Sequence, residues 1–374
     1  MYFLKLNLDE LTEIYSIYSY EARGIIYYTK VEEERVKRRL TKITAVVALI
    51  GVLTMSFIAC TKDKVGELTK VRLNEVVRSV FYAPMYVAIS QGFFAEEGIE
   101  IDLSTGQGAD KTMQQVLSKN ADIGFCGPEQ VIYINNQGRE DYPVLFAQLT
   151  QRDGSFLVGR TEESNFNWES LKGKELIGGR PGGMPQMSFE YVLKKHGLDP
   201  KTDVNLVTNL DFTATAGAFK AGTGEYVTLF EPTASMLEKE GTGKIVASIG
   251  ESAGNIPYTS FFSSKSYMDG NPKTIESFTK AIYKGQQWFN ENSNEKIADA
   301  IIEYFPGTEK EIIVNVIKNY KEINALASDP RIEEEELNRL MDIIESYDKT
   351  LITERPPFEK IVNNTFADKA INNK

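Results

Sequence analysis

Residues 71–104 read VRLNEVVRSVFYAPMYVAISQGFFAEEGIEIDLS, and this stretch decides the fold class. The segment 71–79 is rich in valine and predicts a β-strand, and 99–104 alternates apolar and polar residues as a second strand does. Between them, residues 84–94 predict a helix that ends before Gly98. A strand, a helix and a second strand in this order form a βαβ unit, whose two strands are parallel.

The alternation of strands and helices continues far beyond this unit. Further strands are predicted at residues 121–126, 144–149, 156–159, 175–178, 205–207, 226–229, 244–248 and 259–263. Helices are predicted at residues 109–118, 128–136, 168–171, 184–195, 213–221 and 233–239. From Pro272 onward the pattern is helical alone, with helices predicted at 272–290, 294–304, 309–325, 333–347 and 357–365. The chain is therefore predicted to be an α/β protein with parallel sheets covered by helices on both faces and a C-terminal helical block.

Two sets of α/β units predict two lobes around a cleft. We expect lobe 1 to consist of residues 69–153 and 257–374, and lobe 2 of residues 154–256. The chain would cross between the lobes near residues 153 and 256. In open α/β sheets a ligand binds beyond the carboxyl ends of the strands, so the loops in that position are the candidate site.

Composition narrows the function further. The chain has 374 residues, 42% of them hydrophobic and 25% charged, with a net charge of −11. An acidic body without a basic patch argues against nucleic acid as a partner. Cys60, Cys126 and the single histidine, His196, form no metal-binding spacing and leave few routes to imidazole or thiolate catalysis. We expect no cofactor, no metal and no enzymatic activity.

The N-terminal region predicts export and a lipid anchor. Residues 36–60 contain a basic cluster, an apolar run from 43 to 59, and Cys60, in the order of an export signal. Ala59 before Cys60 resembles a bacterial lipoprotein signal, in which Cys60 would be lipidated; an uncleaved signal anchor and ordinary secretion are the alternatives. We expect translation to begin at Val36, so that residues 1–35 precede the true start, and residues 61–68 to be a linker.

Several motifs, taken in order, resemble a known family. FYAPMYVA (81–88) and QGFFAEEGI (91–99) are followed by GQGAD (106–110), ADIG (121–124), RPGG (180–183) and FEP (230–232). Together they resemble the substrate-binding proteins of ABC transporters for thiamine pyrimidine precursors, nitrate, sulfonates and taurine. The resemblance implies a type II periplasmic-binding-protein fold that closes on its ligand. It also implies ABC permease and ATPase subunits as partners, a location outside the cytoplasm and a monomeric state.

In lobe 1, three loops after strands supply candidate ligand-binding residues. Phe81 and Tyr82 could stack on a planar ring or belong to the core. Gly106 and Gly108 could let backbone N–H groups approach a ligand, or form a simple tight turn. Gly127 and Glu129 begin a helix, where Glu129 could meet the ligand or interact with the helix dipole.

In lobe 2, the loop with Arg180, Gly182 and Gly183 could cradle an anion or a carbonyl group. Asp211 and Phe212 open the next helix, with Asp211 an ordinary N-cap as the alternative. Glu231 follows a strand, where a carboxylate could accept hydrogen bonds from an amino group. Tyr258, near the return crossover, could supply a hydroxyl or a stacking face.

The balance of charges favours one ligand class. Glu129, Asp211 and Glu231 outnumber the cationic candidates Arg180 and Arg152. A sulfonate or nitrate site needs positive donors, whereas an aminated heterocycle needs stacking faces and carboxylate acceptors. We expect a thiamine pyrimidine precursor or a similar nitrogen heterocycle, with taurine, alkanesulfonate or nitrate as the alternative. A pyrimidine-precursor synthase is the remote alternative. In that family an active-site histidine and a cysteine cluster are important, whereas here the single histidine, His196, ends a predicted helix and no cysteine cluster exists.

Overall fold

The computed structural model describes residues 67–210 and 212–372, and of Phe212 the backbone alone. The predicted export signal, the predicted lipidation site at Cys60, most of the predicted linker and Asp211 lie outside the described residues. In the part that is described, every helix is too short or too polar to span a lipid bilayer.

The first sheet has five strands in the order β2-β1-β3-β10-β4. They are β1 (Thr69–Glu75), β2 (Ile99–Thr105), β3 (Ile123–Cys126), β4 (Pro143–Thr150) and β10 (Thr259–Ser264). Strand β1 is parallel to β2 and β3, and β10 is antiparallel to β3 and β4. Every residue of β3, β4 and β10 is buried, because helices cover both faces of the sheet.

The second sheet also has five strands, in the order β7-β6-β8-β5-β9. They are β5 (Ser155–Gly159), β6 (Glu175–Ile177), β7 (Asn205–Val207), β8 (Tyr226–Phe230) and β9 (Lys244–Ser248). Strand β6 is parallel to β7 and β8, whereas β5 is antiparallel to β8 and β9.

The prediction of purely parallel sheets is wrong for one strand in each sheet. Strand β5 is the first to enter the second sheet, and β10 is the strand that returns to the first. Both arrive through a crossover from the other sheet, not through a helix packed on their own sheet. The βαβ rule governs strands joined by such a helix, so it does not fix the direction of these two.

Short helices connect the strands of the α/β part. They are α1 (Ala83–Ser90), α2 (Phe93–Glu96), α3 (Ala109–Leu117), α4 (Glu129–Asn136), α5 (Met184–Lys195), α6 (Thr215–Lys220), α7 (Thr233–Lys239), α8 (Ile249–Ala253) and α9 (Lys265–Gly270), with single 3₁₀ turns at Val80–Tyr82, Trp168–Leu171 and Phe212–Ala214. The helix predicted over residues 84–94 is divided, because Gly92 adopts a left-handed φ of 78° that ends α1.

The C-terminal block contains α10 (Pro272–Glu291), α11 (Asn294–Ile301), α12 (Lys310–Glu322), α13 (Glu334–Tyr347), α14 (Phe358–Ile361) and α15 (Thr365–Asn372), with a 3₁₀ turn at Ile302–Tyr304. The helix predicted over residues 357–365 is wrong in its extent. Val362 is extended and bridges to Leu145 of β4, and the Asn363 backbone N–H donates to the Leu145 carbonyl at 2.8 Å. This pairing with the sheet interrupts the helix, which resumes at Thr365.

The two sheets meet end to end. Phe81, in the turn after β1, lies with its ring centroid 6.4 Å from that of Phe230, the last residue of β8. Helix α12 lies beside this meeting point, since it contacts both the Val80–Tyr82 turn and α7. The carboxyl ends of strands from both sheets therefore converge on one interior region, which we describe next.

Candidate functional site

A cluster of aromatic rings occupies the region between the sheets, and Phe81 is its centre. Its ring stacks on Tyr320 of α12 at 4.5 Å and lies 5.7 Å from Tyr82 and 6.1 Å from Tyr258. Ser79 caps the turn that positions Phe81, because its hydroxyl accepts from the Phe81 N–H at 3.2 Å. These four rings come from lobe 1, a crossover and the C-terminal block, and all four are buried.

Glu129 places a carboxyl group beside these rings. It is the first residue of α4 and is 5% exposed, and its Oε2 has no hydrogen-bond partner. Gly127 makes room for it, since a Cβ there would lie 2.0 Å from Oε2. Burial raises the pKa of Glu129 to about 7. Leaving such an oxygen unpaired costs roughly 1–3 kcal/mol, which a ligand donor would offset.

A second buried carboxyl, Asp153, was not among the candidates derived from the sequence. It lies in the crossover between β4 and β5 and is fully buried. Its Oδ1 accepts from the backbone N–H and the hydroxyl of Ser155, at 2.8 and 2.5 Å, whereas Oδ2 has no partner. Burial raises its pKa to about 6.

The Tyr258 hydroxyl lies close enough to both carboxyl groups for their charges to act on it. Burial, and then the nearby charges of Asp153, Tyr82 and Glu129, raise the pKa of its hydroxyl well above the ordinary value. Tyr82 is likewise buried, and its ring packs edge-on against Phe125 of β3 at 4.7 Å. The structure thus brings Phe81, Tyr82, Glu129 and Tyr258 together around one interior region.

Glu231 lies near this region, but both of its carboxylate oxygens already accept hydrogen bonds from other residues. Its Oε2 accepts from the Ser235 backbone N–H at 2.9 Å, and its Oε1 from the Ser235 hydroxyl at 2.7 Å. The Asn319 amide of α12 donates to the same Oε1 at 2.5 Å. Both oxygens therefore hold the start of α7 and tie it to α12, which leaves this carboxylate less available to a ligand than that of Glu129.

The backbone donors of the lobe 1 glycine loop are also engaged. The Gly106 N–H donates to the Glu75 carbonyl at 2.8 Å, and the Gly108 N–H to the Val76 carbonyl at 3.0 Å. A Cβ on Gly106 would approach the Thr112 hydroxyl to 2.4 Å, so the residue serves close packing against α3. These contacts favour the tight-turn interpretation of the loop over an anion cradle.

The loop with Arg180, Gly182 and Gly183 faces the C-terminal block. The Gly182 N–H donates to the Tyr347 hydroxyl of α13 at 3.1 Å, and the Gly183 N–H to the Arg180 carbonyl at 3.2 Å. Arg180 is exposed. Phe212 lies in its 3₁₀ turn as predicted for a helix start, and its side chain is outside the description.

The electrostatics of the region are acidic without compensation. Burial raises the pKa values of Glu129 and Asp153, and neutral hydrogen-bond donors lower them. No lysine, arginine or histidine among the described residues contributes to the shift of Glu129. Arg152 is turned away, with its guanidinium donating to the Asn255 side chain at 2.8 Å and the Ile323 carbonyl at 2.6 Å. An anion placed here would meet no countercharge.

The residues that would serve catalysis are placed unfavourably for it. Cys126 is fully buried, its thiol contacts the Gly127 carbonyl at 3.6 Å, and burial raises its pKa well above the ordinary value. A thiol held in this way is a poor nucleophile. His196 ends α5 and stacks on Trp168 at 5.7 Å. Among the described residues, no group of His, Cys, Asp and Glu side chains could hold a metal ion.

A family model described as NMT1-like matches residues 66–303 of the chain. The chain belongs to the NMT1-like family. The matched range contains both sheets, Phe81, Glu129, Asp153 and Tyr258. Tyr320 lies beyond its end, in α12.

Two relatives of the NMT1-like chain differ in kind. A Bacillus subtilis (strain 168) protein described only as a binding protein, YtlA, is 45% identical over 327 residues, covering 87% of this chain and 97% of YtlA. The 4-amino-5-hydroxymethyl-2-methylpyrimidine phosphate synthase of Aspergillus parasiticus is 25% identical over 224 residues, covering 56% of this chain and 63% of the synthase.

Structural similarity fixes the fold of this NMT1-like chain. The periplasmic aliphatic sulphonate-binding protein SsuA of Escherichia coli superposes with a TM-score of 0.64 at 12% identity, covering 78% of this chain and 97% of SsuA. The predicted periplasmic-binding-protein fold with a C-terminal helical block is confirmed, as is the resemblance to ABC-transporter substrate-binding proteins. Family and fold together support a substrate-binding protein of this type.

Two residues of the region escaped the sequence interpretation. Asp153 stands in a crossover with no motif around it, and Tyr320 lies within an amphipathic helix in which an aromatic residue is ordinary core. The sequence contains a weak signal for Asp153. This residue begins an Asp-Gly-Ser turn between two apolar strands, and the boundary between the lobes is predicted at this turn. The sequence contains no comparable signal for Tyr320.

Proposed function

We propose that this chain captures a planar nitrogen heterocycle, of the thiamine pyrimidine precursor type, outside the cytoplasm and delivers it to the permease and ATPase subunits of an ABC importer. In this proposal the chain acts as a monomer and is anchored to the membrane through lipidated Cys60. Phe81, Tyr82 and Tyr258 provide flat faces for the ring, and Glu129 accepts a hydrogen bond from its amino group.

The observation that carries this proposal is the unpartnered Oε2 of Glu129 among buried aromatic rings. With a pKa of about 7, Glu129 is present in both protonated and ionised forms near neutral pH. The ionised form is an acceptor alone, so its complement is an N–H or O–H donor, which would in turn lower this pKa. Stacking faces beside an acceptor suit a flat ring with an exocyclic amino group. The missing countercharge weighs against an anionic ligand at the same place.

A sulfonate, taurine or nitrate ligand is the second candidate, favoured by the fold similarity to a sulphonate-binding protein. For an anion, Arg180 is a predicted cationic candidate; its side chain is exposed, in a loop that contacts α13 through Gly182. The likeness to the pyrimidine phosphate synthase agrees with the proposed ring and also keeps the enzyme alternative. The buried thiol of Cys126 and the stacked His196 weigh against that alternative.

The proposal is tested by thermal denaturation of the purified full chain with a panel of ligands: 4-amino-5-hydroxymethyl-2-methylpyrimidine, thiamine, riboflavin, taurine, an alkanesulfonate and nitrate. A ligand at about 100 times its Kd adds roughly 2.7 kcal/mol of stability, which raises Tm by several degrees. We expect the aminopyrimidine to give the largest increase in Tm.

The variant Glu129→Gln separates the interpretations. It should lower the aminopyrimidine affinity at least tenfold, because an amide has half the acceptor capacity and no charge. The exposed Glu169→Gln serves as the control and should bind as the original chain does. An increase in Tm with a sulfonate or nitrate, unaffected by Glu129→Gln, would contradict the proposed ligand.

A further inference from the structure

The crossover residue Asp153 has features of a ligand contact that its structural role does not explain. Its Oδ1 is used by Ser155, which fixes the start of β5. Its Oδ2 is fully buried and unpartnered. If this residue were needed only for the contacts with Ser155, an asparagine could make them equally well and would not bury a charge.

A second unpartnered polar atom lies close to this oxygen. The Ser188 hydroxyl, on α5, is fully buried and makes no hydrogen bond of good geometry, but with the Tyr258 hydroxyl it lies close enough to Asp153 to act as a weak donor that lowers the pKa of this carboxyl. The Tyr320 hydroxyl of α12 is also buried and makes no hydrogen bond of good geometry; burial raises its pKa, followed by the charge of Glu231 and, less strongly, that of Asp153. Asp153 therefore lies among buried hydroxyl groups from α5, from α12 and, in Tyr258, from the second crossover.

The chemistry of this place is that of an acceptor set. A carboxylate and two hydroxyl oxygens can all accept hydrogen bonds, and the largest influences on the pKa of Asp153 are burial and neutral hydroxyl and N–H donors. The stacked rings of Phe81 and Tyr320, with Phe156 at 6.2 Å from Tyr320, add faces that attract a cation. An amino or ammonium group satisfies all of these partners at once.

We propose that Asp153 is a second ligand-binding residue, which accepts a hydrogen bond from an amino or ammonium substituent of the ligand at the crossover between the lobes. The proposal rests on the proposed function, since it assigns a second substituent to the same ligand. Ser188 of lobe 2 and Tyr320 of the C-terminal block complete this subsite. A ligand bound there touches both sides of the cleft and so favours its closed state.

The test uses two aminopyrimidines that differ in one substituent, aminomethyl or hydroxymethyl. Calorimetric titration of the full chain should give at least tenfold tighter binding of the aminomethyl compound. Asp153→Asn, which can keep the Ser155 contacts through its Oδ1, should abolish this preference and leave the hydroxymethyl affinity within about threefold. Asp269→Asn, on the exposed side of α9, is the matched control and should keep the preference.

Ser188→Ala provides an independent variant if Asp153→Asn fails to fold. It should reduce the preference at least threefold and leave the hydroxymethyl affinity unchanged. Equal binding of the two pyrimidines to the original chain, or a preference that survives in Asp153→Asn, would overturn the proposal.

If neither pyrimidine binds, the ring assignment of the proposed function fails while the subsite can still be decided. In that case benzylamine and benzyl alcohol serve as the pair of probes, and NMR measures the binding of each at millimolar concentration. Binding of benzylamine alone, lost in Asp153→Asn, would support the subsite. Equal behaviour of the two compounds would overturn it.

Discussion

At the scale of single residues, two carboxyl groups buried without a countercharge dominate the chemistry of the interior. The pKa of Glu129 is about 7 and that of Asp153 about 6, in each case because burial disfavours the ionised form. In an unfolded chain the corresponding values are about 4.3 and 3.9. Folding therefore takes up protons at these two positions.

This difference fixes the sign of a pH dependence. Between about pH 4 and 7 these two positions bind more protons in the folded chain than in the unfolded chain, so their contribution to the free energy of unfolding should fall as pH rises. Carboxyls with lowered pKa values, such as Glu276 and Glu345, contribute in the opposite direction. Glu129→Gln should remove the falling contribution of Glu129, so its free energy of unfolding should gain on that of the original chain as pH rises from about 4 to 7, whereas Glu169→Gln should follow the original chain. Urea denaturation at several pH values measures these differences. A constant difference between Glu129→Gln and the original chain over this window would contradict a raised pKa of Glu129.

The residue scale also shows where sequence reasoning stopped. Glu129 and Tyr258 were candidates because each follows a predicted strand, and this position is set by local pattern. The Glu231 carboxylate accepts a hydrogen bond from Asn319, which is distant along the chain, so the sequence around Glu231 does not show that this carboxylate already has partners. Partners of this kind are set by tertiary packing, which no local spacing in one sequence encodes.

At the scale of elements, helix α7 depends on Glu231. Two hydrogen bonds from Ser235 and one from Asn319 converge on this carboxylate, so it stabilises the first turn of α7 and its contact with α12. The favourable dipole at a helix N-terminus adds to this effect.

We expect Glu231→Ala to lower the free energy of unfolding by about 2–4 kcal/mol, because hydrogen bonds to a charged group are lost and their donors, Ser235 and Asn319, are half-buried. Asn319→Ala should cost less, about 1–2 kcal/mol, since Ser235 remains paired. Chemical denaturation measures both. Under conditions in which both variants are fully folded, Glu231→Gln should reduce ligand affinity far less than Glu129→Gln. A larger loss of affinity in Glu231→Gln would show that Glu231, and not Glu129, accepts the hydrogen bond from the ligand.

Most elements could be predicted from periodicity, and the errors have local causes. The strands are short apolar runs bounded by turn residues, which the sequence shows directly. The helix over 84–94 was predicted as one piece because its apolar pattern continues across Gly92, whose left-handed conformation is not visible in the pattern. The antiparallel directions of β5 and β10 follow from the two crossovers, which strand spacing does not report.

At the scale of the whole molecule, α12 joins the parts of the fold. Tyr320 stacks on Phe81 after β1 and lies 6.2 Å from Phe156 of β5, so one ring contacts both sheets. Asn319 and the ion pair of Lys239 with Glu309 link the same region to α7. The C-terminal block is thus part of the interface between the lobes.

Two substitutions of Tyr320 should separate its ring from its hydroxyl. Tyr320→Ala should lower the free energy of unfolding by about 3–5 kcal/mol, because it leaves a cavity among large rings. Tyr320→Phe should be neutral or slightly stabilising, since the hydroxyl it removes is buried and unpartnered. Denaturation of the ligand-free chain measures the pair. Equal destabilisation by both substitutions would show that the hydroxyl has a partner after all.

The guanidinium of Arg152 has a mechanical consequence. It begins in the first crossover, holds Asn255 in the second and holds the carbonyl of Ile323 at the end of α12. These two hydrogen bonds therefore tie both crossovers and the end of α12 to one guanidinium group. A displacement of either crossover relative to α12 would have to break a hydrogen bond to a charged donor, which contributes about 1.5–3 kcal/mol.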